Sequence, residues 1–220
     1  MSKPTTYVLL IVDMSGSMNK LADDVRGGFN AYVDELRADT DREYRLSVTL
    51  FDTEFIPLCT AHSLDGAPAM TEANYRPRGS TALMDAVGLT IGQFESAAAL
   101  DEDDRVLVVV QTDGRENSSR EFTAADITHL IKTREAGGRW SFVFLGAGPN
   151  TWRQAEGMGF QIGSTVALDA SEQATKGSYF GLATATRSYS RGGSAADSAA
   201  TVAAASGGRV PSGSDSGAGY

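Results

Sequence analysis

The chain has 220 residues, room for one domain and a short appendage. Its net charge of −9, from 19 basic and 28 acidic residues, argues against a nucleic-acid or anionic-membrane binder, which would carry a basic patch. The hydrophobic fraction of 41% is slightly under the globular norm because of a Gly- and Ser-rich end, and it still fills a single core.

A single cysteine, Cys59, rules out an internal disulfide and fits a reducing compartment; it reads as a small core hydrophobe in a strand. No segment reaches membrane-spanning length, and the apolar run Val8 to Val12 stops at Asp13, too soon for a signal-peptide core. The expected location is therefore the cytoplasm.

Tyr7 to Val12 is continuously apolar, with β-branched Val8, Ile11 and Val12, the signature of a strand buried on both faces. A polar loop, Asp13 to Asn19, follows. Leu21, Val25, Phe29, Val33 and Leu36 then recur at helical spacing, with Asp23 and Asp24 at the end where the helix dipole favours anions. Gly27 and Gly28 weaken that helix and are expected to permit close packing on a sheet. Arg45 to Asp52 and Glu54 to Thr60 read as a hairpin turning at Asp52-Thr53. Asp52 itself is expected to serve the turn.

After an irregular stretch with Gly66, Pro68, Pro77 and Gly79, a second helix carries Leu83, Val87, Ile91 and Phe94 on one face. Val106 to Val110 is the most β-branched run and should be a central strand. Thr123-Ala-Ala-Asp126 reads as a capping box opening a helix with Ile127, Leu130 and Ile131 on its buried stripe, ending at Gly137-Gly138. A strand at Trp140 to Leu145, a short helix near Trp152 to Glu156, a strand at Val166 to Leu168 and a helix from about Glu172 complete the pattern. The fold class expected is α/β: a doubly wound, mainly parallel sheet with helices on both faces and one antiparallel edge hairpin. The expected organisation is one domain over 1–190 and, over 191–220, a disordered Gly/Ala/Ser-rich tail.

Three loops carry chemistry. In an extended loop, residues two apart point the same way, so Asp13, Ser15 and Ser17 of Asp13-Met-Ser15-Gly-Ser17 can converge. Gly79-Ser80-Thr81 precedes the second helix, and Thr112-Asp113-Gly114 ends the central strand. Doubly wound sheets bind ligands outside the carboxyl ends of their strands, where the strand order reverses. Asp13, Ser15, Ser17, Thr81 and Asp113 offer two carboxylates and three hydroxyls. Such all-oxygen sets suit hard cations: Mg²⁺ first, with Mn²⁺ or Ca²⁺ as options. Two carboxylates neutralise the ion and no more, so a partner's carboxylate can still be drawn to an open position.

These residues resemble the metal-ion-dependent adhesion site of von Willebrand factor type A domains, written D-x-S-x-S, then Thr, then Asp. The chain reads D-M-S-G-S at 13–17, G-S-T-A-L-M-D-A at 79–86 and T-D-G-R-E-N-S-S at 112–119. It is especially similar to stand-alone bacterial and phage members through Thr112–Glu121 and Phe142–Ala147. The resemblance spans roughly Tyr7 to Tyr189. It implies direct metal contacts from Ser15, Ser17 and Thr81, contacts from Asp13 and Asp113 either direct or through water, and a last ligand from an Asp or Glu of a protein partner.

Other residues have weaker claims. Asp85 either orients the site or simply answers the dipole of its helix. Arg115, Glu116 and Asn117 read as a solvated loop, and Gly146 to Asn150 as a plain loop that could shape the crevice rim. His62 and His129 lack a second His or Cys at ligand spacing, so no zinc site is expected. Trp140 and Trp152 read as core or half-core aromatics.

The expected function is a metal-dependent protein-binding module, not an enzyme. One alternative is a metal-dependent phosphoryl-transfer enzyme with Asp13 as nucleophile; phosphatases of the haloacid-dehalogenase type would place a second Asp where Ser15 stands. A serine hydrolase would need the G-x-S-x-G elbow, which Met14-Ser15-Gly16 lacks. A structural or assembly protein with an incidental metal site is the other alternative.

Overall fold

The computed structural model describes residues 3–148 and 150–211. Its elements follow in the order β1 (Thr5–Asp13), α1 (Ala22–Arg37), β2 (Glu43–Phe51), β3 (Phe55–Ser63), α2 (Leu83–Ala97), β4 (Arg105–Thr112), α3 (Ala124–Glu135), β5 (Trp140–Ala147), α4 (Thr151–Gly157), β6 (Thr165–Leu168), α5 (Glu172–Ser190) and α6 (Ala195–Ser206). One six-stranded sheet has the order β3-β2-β1-β4-β5-β6. Only β2 and β3 pair antiparallel, as the hairpin pattern predicts; the other pairs are parallel.

The continuous apolar runs are explained by burial on both faces. Along β1, Val8, Leu10 and Val12 face α1, α5 and α6, while Tyr7, Leu9 and Ile11 face α2 and α3. β4 splits the same way, with Leu107 and Val109 on one side and Val106, Val108 and Val110 on the other. Trp140 is core, stacked near Phe142 and edge-on to Phe94. Trp152 is half-buried, His62 and His129 are exposed, and Cys59 is buried in β3. Among the described residues, no helix is long and apolar enough to cross a membrane.

Two expectations need correction. Gly28 permits a close approach, but to α5 rather than to the sheet: a Cβ there would lie 2.4 Å from Cδ2 of Tyr179. Nothing lies within 4 Å of the corresponding point at Gly27. The expected disordered tail over 191–220 is, across Ala195–Ser206, a helix instead; residues 212–220 lie outside the described ones. Ser194 opens α6 with a capping box, its Oγ accepting from Asp197 N (3.1 Å) while its own N–H donates to Asp197 Oδ2 (3.0 Å).

The small residues that mimic low complexity are what lets α6 pack. A Cβ at Gly177 of α5 would fall 2.5 Å from Ala205 O, and one at Gly181 2.8 Å from Val202 Cα. The two helices thus meet backbone to backbone and bury Ala199, Val202 and Ala203. Beyond α6, Arg209 exchanges both backbone hydrogen bonds with Ala167 of β6 (2.8 and 2.9 Å).

The two adjacent glycines of α1 therefore have opposite roles. Gly27→Ala should stabilise by about 0.5–1 kcal/mol, the helix-propensity gain. Gly28→Ala gains the same propensity but must displace the root of the Tyr179 ring, an overpacking penalty of about 1–3 kcal/mol. Urea unfolding should show opposite shifts in midpoint for the two variants.

Candidate metal centre

The strand order reverses between β1 and β4, so the loops leaving these two strands open side by side. Val12 pairs with Gln111, which sets the next residues, Asp13 and Thr112, next to each other. Thr112 Oγ1 donates to Asp13 Oδ2 (2.5 Å), and Ser15 N donates to Asp13 Oδ1 (2.6 Å). Asp13 is fully buried (0% exposed). Burial pushes its carboxyl up to about 6; the hydrogen bonds from Thr112 and Ser15 oppose that shift and the charge of Asp113 adds to it.

The hydroxyls continue from this carboxylate. Ser15 Oγ lies 3.1 Å from Ser17 Oγ, and Ser17 Oγ donates to Asp113 Oδ1 (2.5 Å). Thr81 joins them from the loop before α2. A Cβ built on Gly114 would lie 2.8 Å from Thr81 Oγ1, 3.4 Å from Asp13 Oδ2 and 3.6 Å from Ser15 Oγ. Three oxygens from two loops thus surround one point on the third, and only a glycine at 114 leaves it open. Asp13, Ser15 and Thr81 form a buried floor, at 0, 2 and 3% exposure. Ser17 is exposed and Asp113 half-buried, and they form the rim. The structure thus brings all five sequence-selected residues into one crevice.

The chemistry of this donor set is that of a hard-cation site. Among the described residues, no three His, Cys, Asp or Glu side chains cluster as a metal cage, so a cation here would rely on hydroxyls beside its two carboxylates. A bound cation would also offset the burial and the Asp113 charge that raise the Asp13 carboxyl.

The supporting loops are more built than the sequence suggests. Tyr75, buried, donates its hydroxyl to Asp13 O (2.7 Å), and Arg78 N donates to Met14 O (2.8 Å). Asp52 serves its turn, accepting from Glu54 N (2.7 Å), and also accepts from Arg78 Nε (2.9 Å). Its carbonyl receives Ala82 N (2.9 Å). Gly79, at φ +67°, lets the chain turn close over Asp52 and Thr53.

The segment after Asp113, expected to be a solvated loop, is a clasp. Asn117 embraces the backbone of Thr81: its Oδ1 accepts from Thr81 N (2.9 Å), and its N–H donates to Thr81 O (3.0 Å). Glu116 accepts from Met84 N (2.9 Å) at the start of α2 and from Ser118 N and Ser119 N in its own loop. Asp85 accepts from the backbone N–H groups of Arg120, Glu121 and Phe122 (2.7–2.9 Å). It therefore fastens this loop to α2 rather than merely answering a helix dipole. Gln154 of α4 donates to Gly114 O (3.1 Å) and accepts from Glu116 N (3.2 Å). Gly146, Gly148 and Asn150 line a cleft of about 140 Å³ beside Asp113 and Gly114, so that loop does shape the rim.

The fold is that of a von Willebrand factor type A domain. Proximal thread matrix protein 1 from the mussel byssus superposes with a TM-score of 0.62 at 13% identity, over 82% of this chain and 46% of its own. A von Willebrand factor type A protein from Catenulispora acidiphila gives 0.59 at 14%, over 83% and 43%. The mussel protein was also solved with a zinc-occupied adhesion-site motif, where the TM-score is 0.54 at 13% identity over 86% of this chain and 46% of that one. The chain thus spans under half the length of these structures. No protein-family model matches the sequence, and no curated protein does.

Three measurements probe the centre. Gly114→Ala should abolish divalent-cation binding in calorimetry while leaving the far-ultraviolet circular dichroism unchanged, because its methyl would fill the cradle. Asn117→Ala should weaken cation binding by about 10–100-fold, the usual effect of losing an outer hydrogen-bonding partner. The pH dependence has a definite sign. Because the folded state raises Asp13 to about 6, the metal-free fold holds this proton more tightly than the unfolded chain does. The contribution of Asp13 to metal-free stability therefore falls as pH rises from the unfolded value to about 6 and is flat above. A cation must displace the same proton, so affinity should be full at pH 7 and about tenfold lower at pH 5.

Proposed function

We propose that this chain is a metal-dependent protein-binding module. Asp13, Ser15, Ser17, Thr81 and Asp113 hold one divalent cation, Mg²⁺ in the first instance, and an Asp or Glu carboxylate of a protein partner takes the open position. The observation that carries this reading is the convergence of Asp13, Ser15 and Thr81 oxygens on the cradle left open at Gly114, with Ser17 and Asp113 joined to them by hydrogen bonds. The asymmetry between floor and rim supports it: the buried floor fixes the ion from below, and the exposed rim leaves it accessible from above.

Charge supports it as well. Two carboxylates balance a divalent ion, so the occupied site is close to neutral and the ion's remaining field is directed outward. A partner carboxylate then gains a short charge-assisted contact in a partly desolvated crevice. The type A fold shared with a mussel matrix protein and with a pilus adhesin, SpaC from Lactobacillus rhamnosus GG (TM-score 0.61, 14% identity, over 84% of this chain and 30% of that one), is consistent with adhesive chemistry.

The phosphoryl-transfer alternative gains less from the geometry. Both oxygens of Asp13 are engaged, by Ser15 N and by Thr112 Oγ1, and the group is buried. A nucleophilic carboxylate needs an exposed lone pair aimed at the substrate.

The test is affinity capture from the native host with Mg²⁺ and with chelator, alongside cation titration of the purified chain. Asp13→Ala and Asp113→Ala should each lower Mg²⁺ or Mn²⁺ affinity by more than the roughly 100-fold ceiling of an outer-partner loss. Captured partners should disappear both in chelator and with Asp13→Ala. Partner capture that survives chelator unchanged would overturn the reading.

A further inference from the structure

Where β4 and β5 end, with Thr112 paired to Gly146, the cleft of about 140 Å³ shares Asp113 and Gly114 with the candidate metal centre. It has room for the end of a side chain. Glycine keeps it open on three sides. Gly114 is the wall shared with the cradle. At Gly146 a Cβ would fall 2.5 Å from Thr151 Cγ2 and 2.9 Å from Cε1 of the Phe144 ring. Gly148, at φ +104°, has nothing within 4 Å of the corresponding point.

Several polar groups lining this cleft are spent inside the protein. Thr112 Oγ1 donates to Asp13 Oδ2 (2.5 Å), Thr151 Oγ1 donates to Gly148 O (2.9 Å), and the Gln154 amide bonds Gly114 O and Glu116 N. Arg115, exposed at the mouth, is different. Asn150 turns its amide oxygen to the guanidinium, which donates from Nη2 and from Nε (3.3 Å). A neutral partner thus positions the group without answering its charge. Among the described residues, no carboxylate lies within 4.0 Å of the Arg115 guanidinium nitrogens. The adjacent Glu116 is turned to its own loop and to α2, accepting from Ser118 N, Ser119 N and Met84 N.

We propose that this cleft is a second acidic subsite, in which Arg115 takes a partner carboxylate one or two residues away from the one that the metal holds. The partner class is then an acidic segment with closely paired carboxylates, Asp/Glu-Asp/Glu or Asp/Glu-x-Asp/Glu. Chain geometry sets the spacing. Arg115 directly follows Gly114 of the cradle, and consecutive Cα atoms are about 3.8 Å apart; an extended ligand presents residues two apart on one side. Charge sets the chemistry. With Asp13 and Asp113 balancing the ion, Arg115 makes this rim positive on a chain of net charge −9. Its planar fork of donors matches a carboxylate. A neutral or basic residue in the second position gains nothing there.

The proposal rests on the metal-dependent reading of the same crevice, and the test separates the two. The probes are capped, fluorescein-labelled glycine peptides carrying Asp-Asp, Asp-Gly-Asp, Asp-Asn, Asp-Lys or Asn-Asn. Binding is read by fluorescence anisotropy of the full chain up to roughly 1 mM, in Mg²⁺ and in chelator. In Mg²⁺, the tighter of the two double-acid peptides should bind about 5–10-fold better than Asp-Asn. Arg115→Gln should reduce it to the affinity of Asp-Asn. Mg²⁺ affinity, followed by calorimetry, should not fall in that variant, because removing a positive charge lessens repulsion of the ion. Arg115→Glu should transfer the preference to Asp-Lys. Equal binding of double- and single-acid peptides by the wild type, or a preference that survives Arg115→Gln, would overturn the subsite and leave the metal reading standing. A preference removed by Arg115→Gln but untouched by chelator would uphold the subsite and overturn the metal reading. A chain that binds none of the peptides at any Mg²⁺ concentration would overturn both.

Discussion

Asp13 ends a strand flanked on both sides by parallel neighbours, and its carboxylate has no solvent to face. A charge in that position must be answered by fixed donors or by a counter-ion. The protein supplies two donors, Ser15 N and Thr112 Oγ1, and then sets a second carboxylate, Asp113, close enough to oppose ionisation. Donors alone leave the group with its affinity for a proton raised. A divalent cation would remove both the desolvation problem and the repulsion, and the glycine at 114 leaves space beside these oxygens.

That place is assembled from segments about a hundred residues apart in sequence, so its geometry depends on what holds the loops to one another. Thr81 is fixed through its backbone by Asn117, the start of α2 is tied to the same loop by Glu116 and Asp85, and α4 braces the loop through Gln154. Most of these contacts run from a polar side chain to a backbone group, which sets position without adding apolar volume near the crevice. Ordering the loops beforehand means that less conformational entropy is lost when an ion arrives.

What could be read from the sequence follows from which forces leave a period. Burial on both sheet faces writes apolar runs, and helix amphipathicity writes a three-to-four spacing, so β1, β4, the hairpin and α1 to α5 were legible. The loop of the candidate site stood out because Asp13-x-Ser15-x-Ser17 sits directly after such a run. The clasp at 115–122 was not, because side chain-to-backbone hydrogen bonds have no period and look like any polar loop; the signal available was the run Glu116-Asn117-Ser118-Ser119 itself. α6 was misread as a tail because its cohesion comes from close backbone approach at Gly177 and Gly181, for which small residues are the requirement. Composition rules treat those same residues as evidence of disorder. The Ser194–Asp197 capping box was present in the sequence as the counter-signal. Gly28 belongs with these: its place in α1 implied close packing, but only the fold could name Tyr179 as the neighbour.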